Sequence, residues 1–284
     1  MSQPESLKSR IIDVGWSPPA ARSNGHRTVT QPISPLTTIM TPASRSEAPR
    51  AQPEPPREVI TTLALSSPVM VIEDVQLVAP LDPRLIVLRE PASARARSFR
   101  LLQHRLLAER DPRIIAVTSA LPGEGKTTCA ANLALVLAET SFSRVLLLDA
   151  NLKRPAVADA FGFEPVDNLM TKLLRNEDAS PPYAVASTST TRLQLAALRP
   201  DVAAGKRLDR SVFGTLLHAL RDAYDYIVID TAAVLESADA NIASQAADAV
   251  VMSTRAGKSR RDRLANAIDQ LRPANVLGAV MLDT

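Results

Sequence analysis

The chain reads as an α/β fold: a mostly parallel sheet with helices on both faces, preceded by a disordered Pro-rich N-terminal arm. Three observations carry that expectation. From residue 113 onward, short apolar runs alternate with Ala- and Leu-rich stretches of helical length; near-continuous apolar strands between helices mark a parallel sheet covered on both sides. One of these runs, Ile114-Ile115-Ala116-Val117, leads straight into a glycine-bearing turn and then a helix-forming segment. Residues 1–57, by contrast, are rich in Pro, Ser, Thr, Ala and Arg and hold no period of 2 or 3.6, the composition of a segment with too little apolar surface to order itself.

Residues 58–92 read as a transitional extended segment, in which Val69-Met70-Val71-Ile72 and Leu85-Ile86-Val87-Leu88 are short strand-like runs punctuated by prolines. Ser93 to Glu109 is a helix. Phe99, Leu102, Leu106 and Leu107 recur at helical spacing, Arg95, Arg97, Arg100 and Arg105 populate the rest, and Asp111-Pro112 ends it. Residues 93–284 read as one α/β domain. Strands are expected at 114–118, 145–149, 193–197, 226–230, 249–253 and 276–282. Helices are expected around 127–139, 155–160, 168–175, 211–223, 239–246 and 259–271. The ligand of such a sheet sits beyond the carboxyl ends of its strands.

Composition narrows the function classes. The 284 residues are 45% hydrophobic but only 3% aromatic, so the core is built from Leu, Val, Ile and Ala. The formal charge is +3 with no polybasic block, and nucleic acid is not an expected partner. The single cysteine, Cys129, excludes a disulfide framework, fits a reducing compartment and reads as a small buried hydrophobe. His26, His104 and His218 have no metal-ligand spacing. No apolar stretch approaches the ~20 residues of a membrane span, and the N-terminus lacks the basic and apolar regions of a secretory signal. The expectation is a cytoplasmic protein.

The turn itself is the most specific feature. Ala120-Leu121-Pro122-Gly123-Glu124-Gly125-Lys126-Thr127-Thr128 follows a strand and opens a helix, the context of a phosphate-binding loop. Its glycines let the loop from Pro122 to Thr128 curl so that the backbone N–H groups of Gly123 to Thr128 surround phosphate oxygens, and the helix adds its positive end. Lys126 reaches the β- and γ-phosphates, and the Thr127 hydroxyl faces Mg²⁺. Ala120 stands where the generic motif has its first glycine. A metal needs carboxylates as well, and two apolar runs place Asp149 and Asp230 at strand tips, the pattern in which an acid holds Mg²⁺.

These runs resemble the bacterial tyrosine kinases, the cytoplasmic kinases of capsule and exopolysaccharide export within the MinD/ParA superfamily of P-loop NTPases. Leu148-Asp149-Ala150-Asn151-Leu152-Lys153-Arg154-Pro155 is similar to their second Walker motif. Pro122 to Thr127 is similar to their loop, with Asn132-Leu133-Ala134 following it. Tyr224 to Thr231 is similar to their Walker B strand, and Leu277 to Leu282 to their last strand. The resemblance implies transfer of the ATP γ-phosphate to tyrosine. Lys126 would hold phosphate, Thr127, Asp149 and Asp230 would serve Mg²⁺, and Asp149 would be the base or positioning carboxylate for the incoming hydroxyl. It also implies a membrane chain-length co-polymerase as a separately supplied activator that recruits the chain to the membrane, and self-association through helix 93–109.

Departures from the family accompany the match. Asn151 replaces the usual second Asp, removing one negative charge. Ala232-Ala233 replace two prolines. Of the family's Glu and two Arg at three-residue spacing, only Arg100 is matched in Arg97, Arg100, Gln103. The usual C-terminal tyrosine cluster has no counterpart. The chain's tyrosines are Tyr183, Tyr224 and Tyr226, and Tyr183, in a Pro/Ser-rich stretch, is the expected internal acceptor. Two other readings stay open: an ATP-binding regulatory subunit without catalysis, and a ParA/MinD-like positioning ATPase. The latter carry a lysine where this chain has Leu121.

Overall fold

The computed structural model describes residues 11–12, 68–109, 111–139, 143–177, 181–189 and 191–283. Apart from Ile11–Ile12, the arm expected over 1–57 lies outside the described residues. The described residues belong to one compact unit. They form, in order, β1 (Ile11–Ile12), β2 (Val69–Val75), α1 (Ile86–Arg89), α2 (Ala94–Glu109), β3 (Ile114–Thr118), α3 (Lys126–Ala138), β4 (Val145–Ala150), α4 (Val157–Phe161), α5 (Leu169–Arg175), β5 (Tyr183–Thr188) and β6 (Leu193–Ala196). There follow α6 (Pro200–Ala203), α7 (Arg210–Leu220), β7 (Tyr226–Thr231), α8 (Ala238–Ala246), β8 (Ala249–Arg255), α9 (Arg261–Gln270) and β9 (Val276–Leu282).

The strands join in one sheet of order β1-β9-β8-β3-β7-β4-β6-β5-β2. β9, β8, β3, β7, β4 and β6 run parallel to their neighbours; β5 is antiparallel to β6, and β1 to β9. Side chains alternate between the two faces. In β4, Val145 and Leu147 enter the core under α1 to α4, whereas Leu146 and Leu148 enter the one under α5 and α7. In β7, Val228 takes the first face and Ile227 and Ile229 the second. A third cluster, Ala116, Val250, Met252, Ala267 and Leu271, seats α9. The expected fold is therefore present, and every expected strand from 114 onward forms.

Three expectations are corrected. Of the transitional segment expected over 58–92, residues 68–92 are described: the strand-like run Val69-Met70-Val71-Ile72 does form a strand, β2, but as an edge strand of the sheet parallel to β5, and α1 is part of the core rather than extended. Leu85-Ile86-Val87-Leu88 is not a strand but the start of a short helix, with Ile86 and Val87 buried where α1 packs on α2 and α3; tertiary packing overrides β-propensity here. Tyr183 does not lie in a loop. It begins β5 and is only 7% exposed, packed among Leu146, Val185 and Leu198. The stretch 183–188 carries Ala, Ser and Thr, so its alternation is too weak to read as a strand.

One polar residue ties the N-terminal elements to the phosphate-loop helix. Asn132, fully buried on the apolar α3, donates from Nδ2 to the Arg84 carbonyl (2.6 Å) and the Thr128 carbonyl (2.7 Å). Its Oδ1 accepts from the Val87 N–H (2.8 Å). A buried amide on such a helix must find partners, and these fasten residues 84–87 over α3. Asn132→Ala leaves the Val87 N–H and the Arg84 carbonyl without their side-chain partner and is expected to cost about 3 kcal/mol of unfolding free energy. Urea denaturation measures it, and a loss below about 1 kcal/mol would contradict the strap.

Candidate nucleotide and phosphoryl-transfer site

The loop between β3 and α3 curls because two glycines take backbone angles that side chains rarely adopt. Gly123 has φ +72° and Gly125 φ +83°. Gly125 is the N-cap of α3, and a Cβ there would meet Leu282 Cδ1 at 2.3 Å, so space and conformation both demand glycine. Around this loop lies a cleft of about 560 Å³. It is walled on one side by Pro122 to Thr128 and on the others by Pro83, Arg84, Ile86 and Phe99, by Asn151 and Arg154, and by Arg255, Leu282 and Asp283. The cleft opens at the carboxyl ends of the parallel strands, as the topology requires.

Lys126, the first residue of α3, is 7% exposed. Burial pushes its ammonium pKa below the ordinary value, while the charges of Asp230 and Glu124 pull it back up. The Thr127 hydroxyl donates to Asp230 Oδ2 at 2.6 Å. Asp230 Oδ1 is buried with no hydrogen-bond partner among the described residues. Burial raises the Asp230 carboxyl to about 6, against the lowering effects of the Thr127 hydrogen bond and the Lys126 charge. An orphaned carboxylate oxygen beside a threonine hydroxyl could hold one divalent cation, and the lysine near them would set its positive charge against phosphate. Among the described residues no group of three or more His, Cys, Asp or Glu could hold a metal, and Mg²⁺ sites on phosphates need only one or two carboxylates.

Asp149 and Asp230 are direct neighbours in the register of β4 and β7, so their backbones lie about 4.8 Å apart. By alternation both side chains project on the α3 face. Asp149 is nevertheless differently employed. Its Oδ1 accepts the Asn151 N–H (3.0 Å), and its Oδ2 accepts the N–H groups of Ala156 (3.1 Å) and Val157 (3.2 Å). These bonds fold residues 151–157 over the strand tip. Burial, then the adjacent Asp230 charge, raises its carboxyl well above the usual range. Asn151 Oδ1 accepts the Arg154 N–H at 3.2 Å, and the Arg154 guanidinium pairs with Glu236 at 3.1 Å beside the cleft.

Glu124, expected from the sequence to be a phosphate-loop residue, spends its carboxylate inside the protein. Oε2 accepts the Leu121 N–H (2.8 Å) and Oε1 the Ser259 hydroxyl, while the Ser253 hydroxyl donates to the Glu124 carbonyl (2.6 Å). What Glu124 offers a phosphate is its backbone N–H. Sequence reasoning misses this staple to the β8–α9 loop; the signal is a charged residue inside a glycine turn. It also misses Arg84, which lines the cleft and is held by Asp82 (2.7 Å) and Asp159 (2.6 Å). Cys129 is fully buried, its thiol pushed up to about 12, which leaves it inert. In α2, Arg100 turns onto Glu139 (2.6 Å) and the Pro91 carbonyl (2.7 Å).

Residues 112–272 fit the family model described as an AAA domain. The chain is 32% identical over 203 residues to the tyrosine-protein kinase YwqD of Bacillus subtilis, covering 69% of this chain and 84% of that relative. It is 32% identical over 211 residues to the succinoglycan biosynthesis transport protein ExoP of Rhizobium meliloti, covering 70% of this chain and 26% of ExoP. Its fold superimposes on the kinase domain of the Escherichia coli tyrosine kinase ETK with a TM-score of 0.60, at 21% identity, covering 70% of this chain and 80% of that domain. With its phosphate loop, paired strand-tip aspartates and this degree of identity, the chain belongs to the bacterial tyrosine kinase family of AAA-domain P-loop proteins.

Proposed function

We propose that the chain is an ATP-dependent protein tyrosine kinase that regulates exopolysaccharide or capsule polymerisation and export. The observation that carries this reading is the open Asp230 Oδ1 beside Thr127 and Lys126, at the mouth of an already curled phosphate loop. Backbone N–H groups of residues 123–128 cradle the phosphates of ATP, Lys126 sets a positive charge against the terminal ones, and Thr127 with Asp230 holds Mg²⁺. The metal supplies charge neutralisation of the transferring phosphoryl group when bound. Asp149 acts as a positioning carboxylate, since its hydrogen bonds shape the 151–157 segment that carries Asn151 and Arg154 to the cleft. Such transfer is mostly positioning and electrostatics, so few reactive groups are required.

The acceptor is a tyrosine on another polypeptide. Tyr183 and Tyr224 are 7% and 2% exposed, and Tyr224 donates to Gln194 in the interior. Tyr226 donates to Asp111 and begins β7, at the opposite end of that strand from Asp230. In this reading the partner is a membrane chain-length co-polymerase, which brings the kinase to the cytoplasmic face of the membrane; ExoP is named a transport protein. No helix among the described residues is long and apolar enough to cross a membrane. A second reading, an ATP-binding regulatory subunit, draws on Asn151, which lines the cleft with a neutral amide.

The deciding experiment is transfer from γ-labelled ATP with Mg²⁺ to the cytoplasmic segment of the chain-length protein. Label on a tyrosine of that segment, and none on Tyr183, Tyr224 or Tyr226, is the expected result. Tight ATP binding with no tyrosine labelled would replace the kinase by the regulatory subunit.

A further inference from the structure

Residues 255–263, the loop after β8 and the start of α9, carry Arg255, Lys258, Arg260, Arg261 and Arg263 against one acid, Asp262. In a chain whose formal charge is only +3, this is a steep local concentration. The segment is fastened to the phosphate loop. Ser259 donates to Glu124, and Arg255 Nη1 stands 3.5 Å from the Gly123 carbonyl. The Lys258 ammonium rests on Gly123, where an added Cβ would lie 2.8 Å from Nζ. The patch is therefore continuous with the mouth of the cleft.

Its placement breaks a local rule. A helix N-terminus is the positive end of the dipole and favours acids, basic residues there being unfavourable by a few tenths to about 1 kcal/mol each. α5, α7 and α8 begin on side-chain caps from Asn168, Asp209 and Ser237. α9 begins on Arg260 with no side-chain cap and has Arg261 and Arg263 in its first turn. Arg260 is offset by Asp262 at 3.1 Å. Lys258, Arg261 and Arg263 are exposed, with no ion pair among the described residues. Local rules broken without a compensating contact concentrate where function requires them.

A surface of this kind takes an anion. A lipid surface would also engage apolar anchors, yet none of the exposed large hydrophobic residues, Met70, Val71, Ile72, Val78, Leu101, Val166 and Val212, lies in this segment. A peptide presenting its tyrosine to the terminal phosphate must instead pass the rim of the phosphate loop, where Lys258 stands. We propose that the basic rim formed by Lys258, Arg260, Arg261 and Arg263 docks an acidic segment flanking the acceptor tyrosine. The inference rests on the kinase reading and names its substrate class.

The test uses the full chain and the double variant Arg261→Glu/Arg263→Glu. Carboxylates at the positive end of α9 suit the helix, so the fold is retained, and a thermal melt verifies it. Tyrosine peptides of equal length with Glu-rich or Lys-rich flanks are the substrates. The variant is expected to raise KM for the Glu-flanked peptide about tenfold or more at low salt, leave kcat and the KM for ATP unchanged, and improve the Lys-flanked peptide. In parallel, anisotropy of a labelled Glu-flanked peptide with Phe in place of Tyr measures docking without transfer. Equal KM and equal anisotropy affinity in both proteins would overturn the proposal. So would binding of phosphatidylglycerol vesicles by this patch without binding of the peptide. Wild-type protein that binds the Phe peptide through the patch but labels no tyrosine would retire the kinase reading and leave the basic docking surface for acidic segments standing.

Discussion

Lys126→Met is expected to lower the rate of phosphoryl transfer from ATP by about a thousandfold, the scale of removing a principal electrostatic stabiliser from a water-poor site. Lys126 is almost fully buried, so its charge acts through little intervening water on whatever phosphate occupies the loop. Methionine keeps the length and apolar stem of the side chain and removes the ammonium. The fold should survive, because burial already disfavours that charge. The neighbouring carboxylate responds as well: Lys126 is one of the groups lowering the Asp230 pKa, so in the variant Asp230 rises further above about 6. Initial rates with γ-labelled ATP, together with a thermal melt, test the prediction. A variant that keeps more than about a tenth of wild-type transfer would remove Lys126 from the chemistry.

Asp230→Asn is expected to abolish the Mg²⁺-dependent part of nucleotide binding and to lower transfer by roughly a hundred- to a thousandfold. The same residue sets a pH dependence whose sign follows from burial. Its carboxyl titrates near 6 in the folded protein against an ordinary 3.8, so between those values the folded state holds a proton that the unfolded chain has lost. Stability of the nucleotide-free protein therefore falls as pH rises through about 4 to 6 and stays lower above that window. Asp149, also raised by burial and by Asp230, acts in the same direction. Mg²⁺-ATP needs the ionised carboxylate, so the stabilisation it confers grows over the same window and is full above pH ~7. Melts at about pH 5 and about pH 7.5, with and without Mg²⁺-ATP, measure both slopes, and Asp230→Asn should flatten them. An equal Mg²⁺-ATP shift at the two pH values would show that Asp230 does not hold the metal.

Much of this site is legible in the sequence, because its parts are contiguous in the chain. The loop from Pro122 to Thr128 carries its own chemistry in residue types and spacing, and an apolar strand ending in an acid announces Asp149 and Asp230 separately. What escapes are relations between distant segments. Asn132 reads as one polar residue on an apolar helix, and only packing reveals that it binds residues 84–87. Glu124 reads as a candidate for the phosphates, and only the approach of the β8–α9 loop shows its carboxylate occupied. Tyr183 reads as a loop acceptor, and only its pairing in β5 shows it buried.

The division has a physical cause. Local backbone preference and the alternation of apolar residues act within a few residues, so the chain by itself determined the strand–loop–helix order, the glycine turn and the acids at the strand tips. Strand order and register are decided by burial over the whole sheet. Placing β4 beside β7 set Asp149 against Asp230, and packing then engaged both Asp149 oxygens with backbone N–H groups and left Asp230 Oδ1 open. Two aspartates that end strands in the same way thus became unlike groups, because hydrogen-bond supply inside a core depends on which neighbours fold over each one.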